Sequence, residues 1–140
     1  MSDSLREVTP PHDEDGRPTV VTVAVVLWVV LGVLLVGTGL LFGIAAAVGS
    51  ADPATGAGSL VLTAVVLLAI GAGTLVATRA LARGSRPARS ALTGIGAVLG
   101  IAGLVQLTFL GVGGVYFVAF AAGAVLLHVP AARAWFGRSR

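Results

Sequence analysis

Only a few side chains in the long apolar segments of this chain are of types that take part in chemistry. Apart from Arg79, which lies near the end of its segment, His128 is the one titratable group there besides Tyr116, and Gln106 with Thr108 forms the most polar pair. Strongly polar or ionisable residues inside a membrane mark transport or proton pathways, or hydrogen-bond across helices. We therefore treat Gln106, Thr108 and His128 as a candidate intramembrane polar site. We favour the structural interpretation, an interhelical hydrogen bond for Gln106 and an interfacial position for His128.

The sequence lacks the clusters that catalysis or cofactor binding requires. There is no Cys, which excludes disulfides, thiolate metal sites and thiol redox chemistry. The second histidine, His12, lies in the polar N-terminal segment, so a haem or metal at His128 would lack further ligands. None of the apolar segments contains Asp or Glu. We predict a non-enzymatic protein with no catalytic residue, no metal and no cofactor.

The basic side chains are all arginines, since the chain has no Lys. Those that flank the later apolar segments are Arg79, Arg83, Arg86, Arg89, Arg133, Arg138 and Arg140. Beside membrane spans, guanidinium groups set topology and contact anionic lipid head groups. The central cluster could instead dock a cytoplasmic partner or the chain's own Asp13–Asp15 segment through weak, exposed ion pairs. Because the net charge is only +3, we do not expect nucleic-acid binding.

The elements that carry these residues are long and apolar, and Arg79 is the one charged residue within them. Hydrophobic residues make up 56% of the 140 residues and charged residues 11%, with a mean hydropathy of +1.01. A soluble domain carries roughly 25% charged residues. We therefore predict an integral membrane protein, in contact with the lipid bilayer over most of its surface. The abundance of Ala, Gly, Val and Arg without Lys or Asn is typical of a GC-rich genome, and we expect a bacterial protein.

Four membrane spans account for the apolar segments. The last segment, 91–129, carries no formal charge, and as one helix it would extend close to about 60 Å, roughly twice the hydrocarbon thickness of a bilayer. It must fold back, and the clustered glycines of 111–114 permit a tight turn. Strands are disfavoured because open sheet edges cannot face lipid and the segments do not alternate as barrel strands do. The predicted spans are about 19–48, 59–82, 91–110 and 115–129.

The arginines fall at alternate ends of these spans. They occur before span one, between spans two and three, and after span four, but neither in the first loop nor in the glycine turn. Positively charged loops stay in the cytoplasm. We predict an all-α, integral membrane four-helix bundle with up-down-up-down topology and cytoplasmic N and C termini. Residues 1–18 are predicted to be a disordered cytoplasmic tail, 19–129 the transmembrane domain, and 130–140 a basic interfacial tail.

Small residues recur at the four-residue spacing that lets membrane helices approach closely. The pairs are Gly39/Gly43, Gly96/Gly100, Ala69/Gly73 and Ala119/Gly123. The glycine pairs are no more frequent than the glycine content gives by chance, so they are no evidence for homodimerisation. We nevertheless predict tight helix packing, because small residues permit close approach of the backbones. Trp28 falls inside span one, where we expect it to pack.

Known classes of four-span proteins of this size need residues that this chain lacks. Small multidrug exporters depend on a glutamate in the first span, small fluoride channels use Asn in the pore, and four-span thiol oxidoreductases need Cys. We expect a multi-pass plasma-membrane protein that is an accessory or structural component, acting by helix packing with itself or a larger membrane protein. The alternative is a transporter or channel subunit for a small neutral or apolar solute, lined by the polar site.

Overall fold

The computed structural model describes the backbone of residues 18–49, 56–110 and 113–138, and the side chains of these ranges apart from 103–113 and 138. This part of the chain is all-α, as predicted. Its five helices are α1 (Thr19–Ala47), α2 (Ala57–Ala82), α3 (Arg86–Leu110), α4 (Gly113–Leu126) and α5 (Pro130–Arg138). Residues 1–17, which hold most of the predicted disordered tail, lie outside the described residues, as does most of the first loop.

Two of these helices are long and apolar enough to cross a membrane. With 29 residues in α1 and 26 in α2, both exceed the roughly 20 residues that a bilayer core of about 30 Å requires. α4 and α5 meet at a bend of 52° and together would supply a third span. Among the described residues the apolar helices are therefore those of a membrane protein, while the four-span bundle stays a prediction.

α1 and α2 pack antiparallel along small residues. On α2 the buried Ala64 and Gly71 are seven positions apart, as are the buried Gly32 and Gly39 on α1, and a repeat of seven keeps residues on one face of a helix. A Cβ at Gly71 would lie 2.9 Å from the backbone nitrogen of Val36, and one at Gly39 would lie 3.1 Å from the carbonyl oxygen of Ala64. The two backbones approach so closely that these positions have no room for a side chain.

The polar side chains buried on α2 are paired within their own helix. Thr74 and Thr78 are fully buried or nearly so. The Thr74 hydroxyl donates to the carbonyl of Ile70 at 2.8 Å, and the Thr78 hydroxyl donates to the carbonyl of Thr74 at 2.7 Å. Such bonds let threonine sit in an apolar helix, where an unpaired hydroxyl would be costly. These threonines are part of the packing surface.

α2 ends and α3 begins within a few residues. Gly84 has a φ of +84°, and the backbone N–H groups of Gly84 and Ser85 donate to carbonyls in the last turn of α2, as in a Schellman motif. The Ser85 hydroxyl then accepts a bond from the N–H of Ala88 and caps α3. α3 consequently begins at Arg86, ahead of residue 91, so Arg86 and Arg89 belong to the first turns of the helix.

Trp28 connects the α1–α2 pair to the α3–α4 pair. Its side chain is fully buried, and its ring centroid lies 6.1 Å from that of Phe120 on α4. A Cβ at Gly96 would come within 3.0 Å of the indole, and one at Gly123 within 3.2 Å. The sequence assigned these two glycines to small-residue pairs, and in the structure both make room for an indole ring. A Cβ at Gly96 would also lie 3.4 Å from the backbone oxygen of Phe120.

Candidate functional site

Arg86 fixes α5 against the start of α3. Its Nε donates to the carbonyl of Phe136 and its Nη2 donates to the carbonyl of Gly137, both at 3.0 Å. These carbonyls lie in the last turn of α5, where no intrahelical N–H is available to them. A guanidinium group at that position also opposes the negative end of the helix dipole. α5 is thereby folded back onto the end of the molecule where α2 gives way to α3.

This contact creates a cleft, here called the basic cleft, with a volume of about 450 Å³. It is lined by Arg86, Arg89, Ser90, Thr93, His128, Arg133, Phe136 and Gly137. The Arg89 guanidinium lies 5.9 Å from the centroid of the Phe136 ring, a cation–π distance. All acidic residues of the chain lie outside the described ranges, so no described carboxylate neutralises these charges. The chemistry of the basic cleft is that of an anion site.

His128 contributes a ring to the same cleft while it completes the end of α4. Its backbone N–H donates to the carbonyl of Val125 at 2.8 Å, and its ring Nδ1 lies 2.9 Å from the carbonyl oxygen of Ala124. Because a carbonyl can only accept, Nδ1 carries the hydrogen of this bond. Pro130, which begins α5, has no N–H to offer the preceding turn. His128 therefore acts as a C-terminal cap for α4, with Nε2 left as the second ring nitrogen.

The predicted polar site is only partly covered by the described residues. Gln106 and Thr108 lie on α3, but their side chains fall outside the described part of the chain. His128 lines the basic cleft together with Arg86, Arg89 and Arg133. Within the described residues, no group of three His, Cys, Asp or Glu side chains is placed to hold a metal ion.

The arginines that the sequence grouped as topology and head-group residues separate into two sets. Arg86, Arg89 and Arg133 converge on the basic cleft, whereas Arg79 and Arg83 are exposed at the end of α2 and do not line it. The side chain of Arg138 and the whole of Arg140 lie outside the described residues. The signal for the cleft was the spacing of Arg86, Arg89, Ser90 and Thr93, which becomes one helix face once α3 starts at Arg86.

A separate apolar groove, here called the seam groove, lies between α3 and α4. It has a volume of about 200 Å³ and is lined by Gly96, Ala97, Gly100, Ile101, Phe117, Ala121 and Ala124. On α3, Ala97 follows Thr93 by four positions, and on α4, Ala124 precedes His128 by four positions. Residues four apart are neighbours on one helix face. The seam groove and the basic cleft therefore follow the same two helix faces.

A separate apolar cavity of about 300 Å³ is lined by residues of α1 to α4, in the half of α1 beyond Trp28. Thr38, Thr63 and Tyr116 supply its hydroxyl groups, and its other lining residues are apolar. The Thr63 hydroxyl donates to the carbonyl of Ser59 at 2.8 Å. Sequence reasoning missed this set, because three single polar residues from three apolar segments share no motif.

Similarity to known proteins does not assign a role to any of these three cavities. The chain matches no protein-family model, and no curated protein or solved structure is significantly similar to it.

Proposed function

We propose that this chain is a four-span protein of the plasma membrane, with both termini in the cytoplasm. In this proposal it has no enzymatic activity and serves as an accessory or structural component that packs against another membrane helix. The apolar length of α1 and α2 supports the membrane location. The arrangement of charges supports the orientation, since Arg86 holds α5, and with it Arg133, against the same end of the molecule as Arg79 and Arg83. Positive charge gathered at one end is what cytoplasmic retention requires.

The outward face of α2 carries the packing proposal. Ala69 and Gly73 lie one turn apart on the side opposite the buried Gly71, and both are exposed. A Cβ at Gly73 would meet no atom within 4 Å. On the same face Val66 is 45% exposed and Val76 is 67% exposed. This small-residue pair is unused by the packing of the described helices, and small residues between apolar ones let a second helix backbone approach.

Association of the purified protein tests this proposal. Wild type, Gly73→Leu and the control Gly94→Leu would be extracted in mild detergent, and their bound proteins and oligomeric state determined. Gly94 is a matched control because it is also an exposed helical glycine whose Cβ would meet no atom within 4 Å. We expect wild type and Gly94→Leu to purify with a second copy or a larger membrane protein, and Gly73→Leu to bind about tenfold more weakly. A wild-type protein that is a clean monomer with nothing bound would contradict the proposal.

The second candidate function is passage of a small neutral or apolar solute, and the apolar cavity favours it. Its few hydroxyls, from Thr38, Thr63 and Tyr116, resemble the sparse polar groups of small-molecule sites. Liposomes that contain the protein would be tested for glycerol permeability by light scattering. Transport predicts a permeability above that of empty liposomes, which the cavity-filling variant Leu67→Trp lowers and Ala91→Trp, outside the cavity, does not. Equal permeability with and without protein would exclude glycerol passage and favour the packing role.

A further inference from the structure

We propose that the basic cleft and the seam groove together form a binding site for one anionic phospholipid. The phosphate would lie among the guanidinium groups of Arg86, Arg89 and Arg133, and an acyl chain would follow the groove between α3 and α4. This inference rests on the proposed membrane location, and it adds a specific ligand site to it.

The charge of the basic cleft selects an anion, and two of its three arginines are already oriented. Arg86 is held by two carbonyls at 3.0 Å each, and Arg89 is stacked on the Phe136 ring. A planar guanidinium matches the oxygens of phosphate, and one that is already ordered loses less entropy when it binds. Arg133 is exposed and is free to close on the ligand from α5. Three positive groups without a described carboxylate suit a phosphate monoanion or dianion.

The shape of the site distinguishes a lipid from a free phosphate. A free anion needs only the basic cleft. One turn farther along the same faces of α3 and α4, however, lies a groove whose wall is made of glycine, alanine and larger apolar side chains. Gly96, Ala97 and Gly100, whose side chains are small or absent, line the α3 side of this groove, and Phe117 lines it on α4. A concave, fully apolar strip that starts beside clustered guanidinium groups has the chemistry of a head group joined to a hydrocarbon chain.

The depth of the site agrees with the same ligand. The basic cleft lies where the apolar stretch of α2 ends, and Arg79 and Arg83 occupy the neighbouring turns. In a bilayer this level corresponds to the head groups, where cytoplasmic leaflets carry their anionic lipids. The seam groove extends from that level towards the hydrocarbon, along the direction in which acyl chains run.

Native mass spectrometry of protein released from nanodiscs tests the site. The probes are dioleoyl phosphatidylglycerol and dioleoyl phosphatidylcholine, with inorganic phosphate as a competitor. We expect wild type to retain one phosphatidylglycerol, and the double variant Arg89→Gln/Arg133→Gln to retain it about tenfold less. Arg79→Gln/Arg83→Gln removes the same charge from the same end without altering the cleft lining, and should bind as wild type does. Arg86 is left in place because it also holds α5.

A second pair of variants tests the acyl chain separately. Ala97→Leu fills the seam groove, while Ala91→Leu makes the same change at an exposed position of α3 outside it. Loss of phosphatidylglycerol from Ala97→Leu, but not from Ala91→Leu, supports a lipid.

Equal loss of phosphatidylglycerol from both arginine double variants would show unspecific attraction and overturn the proposal. Retention of phosphatidylcholine by wild type to the same extent as phosphatidylglycerol would do the same. Displacement by millimolar phosphate with no effect of Ala97→Leu would assign a free anion instead. Because each readout starts from protein already in a bilayer, these failures leave the membrane location intact.

Discussion

The indole Nε1 of Trp28 donates a hydrogen bond to the carbonyl oxygen of Gly123 across 3.3 Å, in the interior of the protein. The same glycine supplies both the acceptor and the space, because a Cβ at Gly123 would lie 3.2 Å from atoms of the ring. An indole N–H without a partner is costly in an apolar surrounding. Trp28 of α1 is therefore matched to α4 by shape and by polarity together.

Replacing Trp28 should weaken the contact between the two helix pairs. We expect Trp28→Ala to lower the free energy of unfolding by about 3–5 kcal/mol, since a fully buried indole leaves a cavity. Trp28→Phe, which keeps an aromatic ring but loses the donor, should cost about 1–2 kcal/mol. Reversible SDS titration in mixed micelles measures both. Trp135→Phe is the control, because Trp135 is only partly buried, and a loss there as large as in Trp28→Phe would contradict a special role for Trp28.

Gly123→Ala should destabilise the protein although alanine favours helices. The new methyl group would press on the indole of Trp28, and overpacking of this kind costs about 1–3 kcal/mol. Gly94→Ala is the matched control, because its Cβ meets no atom within 4 Å and alanine there should gain up to about 1 kcal/mol in helix propensity. A Trp28 emission spectrum, recorded in a Trp135→Phe background, should shift with Gly123→Ala only. We expect the free energy of unfolding to fall in Gly123→Ala and to rise in Gly94→Ala. A change of the same sign in both variants would refute the close contact between Gly123 and Trp28.

The sequence predicts the helices well, but it says less about the contacts between them. The apolar lengths of α1, which carries no charge, and of α2, whose one charged residue is Arg79 in the last turn, predict helices directly, because lipid leaves a backbone few alternatives. Trp28 was recognised only as a packing residue, since its partners, Gly96 and Gly123, are distant in sequence and lie in motifs that suggested backbone contacts. The basic cleft was missed for a local reason. Its face on α3 becomes visible only when the helix starts at Arg86, and that start depends on the cap made by Ser85.

Gly71 and Gly73 on α2 should respond in opposite ways to the same substitution. At Gly71 an alanine Cβ would lie 2.9 Å from the backbone nitrogen of Val36, which cannot move aside as a flexible side chain could. We expect Gly71→Ala to cost about 1–3 kcal/mol. Gly73→Ala, measured in dilute detergent, should be neutral or stabilising by up to about 1 kcal/mol, because its Cβ is unobstructed. If both variants have the same free energy of unfolding as wild type, the backbones of α1 and α2 do not approach each other as closely as described.

Removing the Arg86 guanidinium should release α5. Arg86→Gln loses two charge-assisted bonds to carbonyls at the end of that helix, so we expect α5 to detach in a measurable fraction of molecules. Limited trypsin digestion reports this as faster cleavage after Arg133, in the first turns of α5. Arg83→Gln removes an exposed arginine close by, and its cleavage rate should match that of wild type. Equal rates for Arg86→Gln and wild type would show that other contacts of α5 suffice.

Labelling of single cysteines should place the two ends of α1 on opposite sides of the membrane. The chain has no native Cys, so Ser2→Cys, Thr55→Cys and Ser139→Cys each introduce one thiol without a background. A maleimide that cannot cross membranes should label Thr55→Cys in intact cells, because the first loop carries no arginine and is not retained in the cytoplasm. The other two variants should react only after the cells are opened, since both tails carry arginines. Reaction of Ser139→Cys in intact cells would exclude an even number of spans with a cytoplasmic N terminus. Reaction of Thr55→Cys only in opened cells would contradict a complete crossing by α1, on which the four-span topology depends.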